Sequence, residues 1–220
     1  MTFNNFSLRL VAVAALLGLS GVAQAALTVY TDEASFMAAV INSGTDDFRN
    51  LFDGGGPANP YLGSTTSGTA YSYVASAPLG LYGIAGSPNW LSVNNAGDTL
   101  TIAGFGGLVK AVGGTFFNTN SPSMPSGGNL TVTGSDGGTP AARLVIGSTT
   151  GSFVGFVSTG AMSSLTVISD NSSNGMPDFS FPTVGSLVLA SVSAVPEPET
   201  HALMLAGLGL VGFLARRRRA

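Results

Sequence analysis

Nine short segments rich in β-branched and aromatic residues follow one another through the middle of the chain, and they constrain its fold more than any other feature. Each is bounded by Gly, Pro, Asn, Asp or Ser, as strands bounded by turns are. Residues 94–98 and 135–138 carry strong turn sequences between such segments. Several short strands without intervening helices predict an all-β body, an antiparallel β-sandwich or jelly roll. The segments are TAYSYVA, NWLSVNN, TLTIAGF, LVKAVGGTFFN, NLTVTG, ARLVIGS, SFVGFVS, SSLTVIS and GSLVLASV.

One short helix is predicted near the start of this body, in the segment TDEASFMAAVIN at residues 31–42. Thr31 or Asp32 is suited to cap it, and acidic residues in the first turn favour a helix N-terminus. Phe36, Ala39 and Val40 would share its apolar face. Residues 53–68 and 118–128 are rich in Gly, Ser and Pro, which predicts two long surface loops.

The composition excludes some classes of function. Only 9% of the residues are charged, and the chain has no cysteine, so the fold depends on its core without disulfides. The cations of the body are Arg49, Lys110 and Arg143, and its acidic residues outnumber them. Nucleic acid is therefore not an expected partner, because binding phosphate requires clustered cations.

The sequence lacks the residues of most catalytic sites. The single histidine is His201, close to the C-terminus, and cysteine is absent. Histidine-based general bases in the body, thiol nucleophiles and ordinary zinc sites are thereby excluded. A site built from carboxylates alone, as in glycoside hydrolysis, stays open. Because nothing marks two carboxylates as a facing pair, we predict that the protein is not an enzyme.

Metal binding has one candidate, the segment DNSSNG at residues 170–175, which resembles the first half of an EF-hand loop. The twelfth position of such a loop is a bidentate Glu, and here it is Phe181. We therefore predict no metal site and no cofactor, with weak calcium binding by loop oxygens left open.

Aromatic side chains suggest a glycan contact. Trp90, Tyr71 and Tyr73 lie in strand-like segments and have rings that can stack on sugars. Aromatic residues in alternating strands are more often core residues or cross-strand pairs. Packing is therefore the first interpretation and glycan contact the second.

The first 25 residues have the form of a secretory signal peptide. Arg9 supplies a positive charge, residues 10–19 are apolar, and Ala23-Gln24-Ala25 forms an A-x-A cleavage site. Signal peptidase is thus an expected partner. The mature chain would begin at Ala26, so the body is predicted to span residues 26–194.

The C-terminal segment, residues 195–220, combines three features in order. Pro196-Glu197-Pro198 is an extended stem, since proline disfavours both helix and strand. An apolar transmembrane helix is predicted over residues 200–215, about 24 Å long at ~1.5 Å per residue. Arg216, Arg217, Arg218 and Arg219 follow and would stay cytoplasmic, which orients the chain with its body outside the inner membrane.

This order of stem, apolar helix and arginine cluster resembles the PEP-CTERM sorting signal of Gram-negative bacteria. The resemblance implies recognition by an exosortase, a membrane-embedded transpeptidase, with cleavage near Pro196-Glu197-Pro198. It implies a transient membrane anchor, followed by delivery to the cell surface or the extracellular matrix. The body resembles the variable β-sandwich domains that accompany this signal, through TVYTDEASFMAAV with the following DDF and through SFVGFVSTGAMSSLTVIS. A further Asp-Asn pair that often closes those domains is absent.

These features together predict an exported surface or matrix protein that an exosortase processes. Its expected role is structural or glycan-associated, within exopolysaccharide or biofilm. Two alternatives are a carboxylate-dependent carbohydrate-active enzyme and an ice- or surface-binding protein. The last would present a flat sheet face with regularly spaced threonines, whereas the threonines are scattered along this sequence.

Overall fold

The computed structural model describes residues 27–52, 57–86, 88–106, 108–120, 124–171, 180–193, 205–209 and 216. Those between residues 27 and 193 form one helix and fifteen strands. The strands are β1 (Leu27–Tyr30), β2 (Ile41–Asp46), β3 (Tyr61–Ser64), β4 (Ser67–Gly68), β5 (Ser72–Ser76), β6 (Leu81–Ile84), β7 (Trp90–Val93), β8 (Leu100–Ala103), β9 (Ala111–Thr119), β10 (Pro125–Ser126), β11 (Leu130–Ser135), β12 (Ala141–Val145), β13 (Phe153–Ser158), β14 (Ser164–Ser169) and β15 (Phe181–Ser191).

The helix, α1, spans Glu33–Ala39, and its N-cap is Asp32. The Asp32 carboxylate accepts hydrogen bonds from the backbone N–H groups of Ala34 and Ser35 at 3.1 and 3.0 Å. These bonds satisfy donors that have no partner inside the helix. The predicted helix is therefore confirmed, although it ends at Ala39 rather than reaching Asn42, because Ile41 already pairs as the start of β2.

The strands form two antiparallel sheets, as the sequence predicts. The first sheet has nine strands with the central order β1-β13-β9-β15-β2-β4; β10 also pairs with β9, and the β6–β7 hairpin pairs with β15. The second sheet has six strands in the order β12-β11-β14-β8-β5-β3.

The two sheets share one apolar core. Side chains of the first sheet, such as Phe116 and Leu187, belong to the same buried cluster as Leu130 and Leu165 of the second sheet. Along β11 and β8, buried and partly exposed residues alternate, so one face of the second sheet meets the core and the other faces outward.

Helix α1 forms a second, smaller core on the outer face of the first sheet. Phe36 is fully buried there, clustered with Phe153 and Val188. Since α1 covers this face, β9 and β15 are buried on both sides over much of their length. Strand β15 is thus the central element of the body, paired with β9, β2 and β7.

Both predicted surface loops are wrong in part. Residues 53–68 contain β3 and β4, and residues 118–128 contain the end of β9 and all of β10. Asn118 and Thr119 are buried rather than exposed. Their glycine, serine and proline content obscured these strands, which are held by pairing with neighbours rather than by their own β-propensity.

In the described part of the chain, no helix has the length and apolarity needed to cross a membrane. Residues 205–209 are helical, with Leu205 and Leu208 exposed. Most of the transmembrane helix predicted over residues 200–215 lies outside the described residues, as does the signal peptide.

Candidate functional site

The two ends of the body lie at the same end of the first sheet. Strand β1 begins at Leu27, which pairs with Ser158 at the end of β13. The Ser158 N–H donates to the Lys110 carbonyl at 2.8 Å, and the Lys110 N–H donates to the carbonyl of Ala190, near the end of β15, at 2.9 Å. Three strand spacings therefore separate the entry and the exit of the chain, about 14 Å at ~4.8 Å per spacing. We call this end of the body the exit end and the opposite one the far end.

The last residue of β15, Ser191, is fixed by side-chain hydrogen bonds. Its Oγ donates to the Ile41 carbonyl at 3.2 Å and accepts from Asn42 Nδ2 at 3.3 Å. Asn42 has a positive φ of 51°, a conformation that asparagine tolerates better than most residues. The segment that follows Ser191 thus leaves the body from a fixed point.

Of the three aromatic residues predicted to contact glycan, Tyr73 is a core residue. It is 2% exposed, and its hydroxyl donates to Asp46 Oδ2 at 2.7 Å. Burial raises the pKa of this hydroxyl far above its usual value. Tyr73 therefore cannot stack on a sugar, and that part of the prediction is wrong. Tyr71 is half-buried and donates its hydroxyl to the Asn42 carbonyl at 2.7 Å, so it supports the exit of the chain.

Trp90 lies elsewhere, at the start of β7 in the first sheet. Its half-buried ring meets the edge of Phe117, with ring centroids 5.1 Å apart. Tyr82 of the edge strand β6 pairs with Ser92, two residues beyond Trp90. Because residues two apart share a face, Tyr82 is the diagonal neighbour of Trp90, within reach of an aromatic side chain. Tyr82 is 48% exposed, and no local sequence pattern distinguishes it from the other tyrosines.

The adjacent carboxylates of the DDF segment have opposite environments. Asp46 is buried and accepts hydrogen bonds from Tyr73 Oη and from the Phe48 N–H at 2.8 Å; burial raises its pKa. Asp47 forms an exposed ion pair with Arg49, and hydrogen bonding to that guanidinium lowers its pKa well below its ordinary value. Phe48 has a positive φ of 57° and is fully buried. The hydrogen bond between Asp46 and Tyr73 thus joins the two sheets where β2 reaches the far end of the body.

Other carboxylates hold turns. Asp98 accepts from the Leu79 N–H at 2.7 Å, and Asp136 accepts from Ser158 Oγ at 2.6 Å and from the Gly138 N–H at 3.0 Å. No cluster of three or more acidic or histidine side chains that would suit a metal ion occurs among the described residues. Residues 172–175 of the calcium candidate lie outside them.

The outward face of the second sheet is uncharged. Thr133 of β11 pairs with Thr166 of β14, which pairs with Thr101 of β8, which pairs with Ser76 of β5. These four hydroxyl side chains form a row across four strands, about 4.8 Å apart. Neighbouring positions on this face of β11 and β14 are also uncharged. We call this surface the hydroxyl face; its members on β11, β14, β8 and β5 are Thr131, Thr133, Ser135, Ser164, Thr166, Ile168, Thr101, Ala103, Ser72, Val74 and Ser76.

The fold and the fixed chain exit define a two-sheet, antiparallel β-protein whose C-terminal segment leaves the centre of a sheet. That segment, residues 194–219, matches the PEP-CTERM protein-sorting motif. No curated protein matches the chain. The motif covers only the tail, so it identifies how the protein is sorted and leaves the role of the body to be inferred from its structure.

The sorting motif confirms the predicted PEP-CTERM signal and indicates an exported surface protein that an exosortase processes at the membrane. The predicted processing residues Ala23, Ala25, Ala26, Pro196, Glu197 and Pro198 lie outside the described residues. So do Arg217, Arg218 and Arg219, whereas Arg216 is described and exposed.

Proposed function

We propose that the body is a non-enzymatic, glycan-associated module of the cell surface or extracellular matrix, which contributes to exopolysaccharide or biofilm structure. The observation that carries this proposal is the diagonal pair of Tyr82 and Trp90 on the β6–β7 hairpin. It places one exposed and one partly exposed aromatic ring on the same face, beside an edge strand.

The chemistry of such a pair suits a sugar ring. The apolar faces of sugars stack on aromatic rings, while their hydroxyl groups need nearby hydrogen-bond partners. The edge-on contact of Phe117 with Trp90 fixes the indole in place, so little conformational freedom is lost on binding. Lack of catalysis is part of the proposal, because Asp46, Asp47, Asp98 and Asp136 are engaged by hydrogen bonds to turns and neighbouring side chains.

The experiment is retention of the mature body on the exopolysaccharide of the producing cells. Tyr82→Ala should reduce the retained fraction several-fold, and Tyr82→Phe should keep most of it because the ring remains. Leu62→Ala is the matched control, since Leu62 is 77% exposed on an edge strand of the other sheet. Equal retention of Tyr82→Ala and the unaltered body would refute the aromatic contact.

A second candidate function is binding to a regular solid surface such as ice, and the hydroxyl face favours it. The threonines that are scattered along the sequence are aligned by strand register into the row Thr101, Thr166 and Thr133. An uncharged face with hydroxyls repeating at about 4.8 Å can meet an ordered surface at many points at once.

Thr133→Glu tests this candidate, because a carboxylate in the centre of the row must lose its hydration when the face is covered. Adsorption to ice or to an insoluble neutral polysaccharide should fall at least about tenfold, which corresponds to ~1.4 kcal/mol. Thr28→Glu on the exposed edge strand β1 makes the same charge change on the other sheet and should have no effect. If both variants adsorb equally, the hydroxyl face is not the contact.

A further inference from the structure

The exit end gathers turns from both sheets around the two points where the chain enters and leaves the body. Leu27 and Ser191 mark those points. Residues 159–163 and the turn after β11 meet there, because Ser158 Oγ donates to Asp136 and the Ser163 N–H donates to the Ser135 carbonyl. Residues 104–106 and 108–110 lead into β9 at the same end, where the Met162 N–H donates to the Val109 carbonyl.

The tether that connects this end to the membrane is short. Seven residue steps separate Ser193 from residue 200, where the predicted transmembrane helix begins, and they span at most about 25 Å at ~3.6 Å each. Strand β9 has nine residues and runs from the exit end toward the far end, which places the far end about 30 Å further out. While the C-terminal segment anchors the chain, Ser193 at the exit end therefore stays within about 25 Å of the lipid.

Charge is distributed unevenly between the two ends. Asp46, Asp47, Asp98 and Asp170 follow strands that run toward the far end or occupy its turns. Among the described residues Arg49 is the cation that accompanies them, while Arg143 lies in the middle of β12, between the two ends. Asp32 and Glu33 also lie away from the exit end, because they are at the start of α1 and the chain returns to the exit end after the helix, at Ile41. Of the charged side chains that the structure describes, the exit end carries Lys110, whose Nζ donates to the Thr159 carbonyl at 3.0 Å, and one carboxylate, Asp136.

Apolar side chains are exposed beside these few charges. Leu108 is 77% exposed and Ile41 is 44% exposed at the exit end, while Leu79 and Ile146 are exposed at the far end, so the two ends differ in charge rather than in apolar exposure. An anionic phospholipid surface repels carboxylates, attracts lysine and accepts apolar side chains at its interface. We propose that the exit end is a membrane-facing surface, which lies against the phospholipid bilayer while the protein is anchored and holds the acidic far end away from it.

The experiment exploits the absence of cysteine from the chain. Gly106→Cys at the exit end and Gly97→Cys at the far end are matched sites, because a Cβ added at either glycine meets no atom within 4 Å. The full-length chain, labelled with a fluorophore at one of these sites, is reconstituted into vesicles of phosphatidylethanolamine and phosphatidylglycerol that contain nitroxide-headgroup lipid. Vesicles are recovered by flotation, and quenching of the fluorophore by the nitroxide lipid is measured on them.

Quenching at Gly106→Cys should exceed quenching at Gly97→Cys by at least about threefold, because the far-end label lies about 30 Å further from the lipid. A second pair, Leu108→Cys and Leu79→Cys, should show the same order, since Leu79 is 62% exposed in a far-end turn. Equal quenching within both pairs would overturn the proposal. A chain that fails to float with vesicles would overturn it as well, through loss of the anchor on which it depends.

Discussion

At the residue scale, Asp46 and Asp47 show how one step along the chain, at the end of β2, reverses the environment of a carboxylate. Asp46 points inward to Tyr73, and Asp47 points outward to Arg49 and Thr66. Burial raises the pKa of Asp46, while hydrogen bonding lowers the pKa of Asp47. Asp46, the last residue of β2, is thus the carboxylate that links the two sheets.

The two carboxylates should change stability with pH in opposite directions. Because the pKa of Asp46 is raised in the folded protein, its contribution to the free energy of unfolding is fully present below the ordinary pKa of aspartate. That contribution is lost as the pH rises through the pKa of Asp46 in the folded state. The free energy of unfolding, measured by urea denaturation from pH 7 to pH 2, should thus rise relative to Asp46→Asn as the pH falls. Relative to Asp47→Asn it should decline below about pH 4, because the lowered pKa of Asp47 contributes stability only above that range. Parallel profiles for the two variants would contradict this assignment.

Gly63 of β3 is a second residue whose identity is set by the core. It pairs with Tyr73, and a Cβ added there would fall within the Tyr73 ring. Gly63→Ala should lower the free energy of unfolding by about 1–3 kcal/mol, the usual cost of overpacking a core. Gly97→Ala provides the control because its Cβ meets nothing within 4 Å. Similar urea midpoints for the two variants would show that the ring moves aside freely.

At the element scale, α1 decides how the outer face of the first sheet is covered. Phe36 packs on Phe153 with ring centroids 5.4 Å apart, and Gly113 and Gly155 leave room for these rings. From the sequence, either Thr31 or Asp32 could be the N-cap of α1, and in the structure it is Asp32.

Asp32→Ala should therefore cost about 1 kcal/mol in the free energy of unfolding, since two backbone donors lose their acceptor. Thr31→Ala should stay within about 0.5 kcal/mol, as exposed substitutions away from special features usually do. Thermal denaturation of both variants compares the two positions directly. A larger loss of stability for Thr31→Ala than for Asp32→Ala would identify Thr31 as the N-cap.

How far the sequence predicts the elements depends on what stabilises each of them. The nine segments with β-branched and aromatic residues all form strands, and the turn predicted at residues 94–98 is present. The turn predicted at residues 135–138 lies one residue later, at 136–139, because Ser135 still pairs as the end of β11. Strand β2, with the sequence INSGTD, has little β-propensity and forms because β15 and β4 pair with it. The row of Thr101, Thr133 and Thr166 depends on register between strands that are distant in sequence, and no local pattern encodes that register.

At the scale of the whole molecule, the body and the sorting segment meet at one point. Strand β15 pairs with β9, β2 and β7, and it ends at Ser191, three residues before the sorting motif begins. Cleavage in the Pro-Glu-Pro stem would thus leave every strand of the body intact. A cut within β15 would instead remove part of the strand that pairs with β9, β2 and β7.

Two truncations test this separation of folding from sorting. Deletion of residues 200–220 should leave the thermal unfolding midpoint of the body unchanged, because the fifteen strands that the structure describes all precede residue 200. In cells, the truncated protein should be released from the membrane fraction or remain uncut at its stem. A chain ending at Gly185 loses the half of β15 that pairs with β2 and should show no cooperative unfolding transition. Attachment and processing of the first truncation at the level of the full chain would show that sorting does not depend on the C-terminal segment.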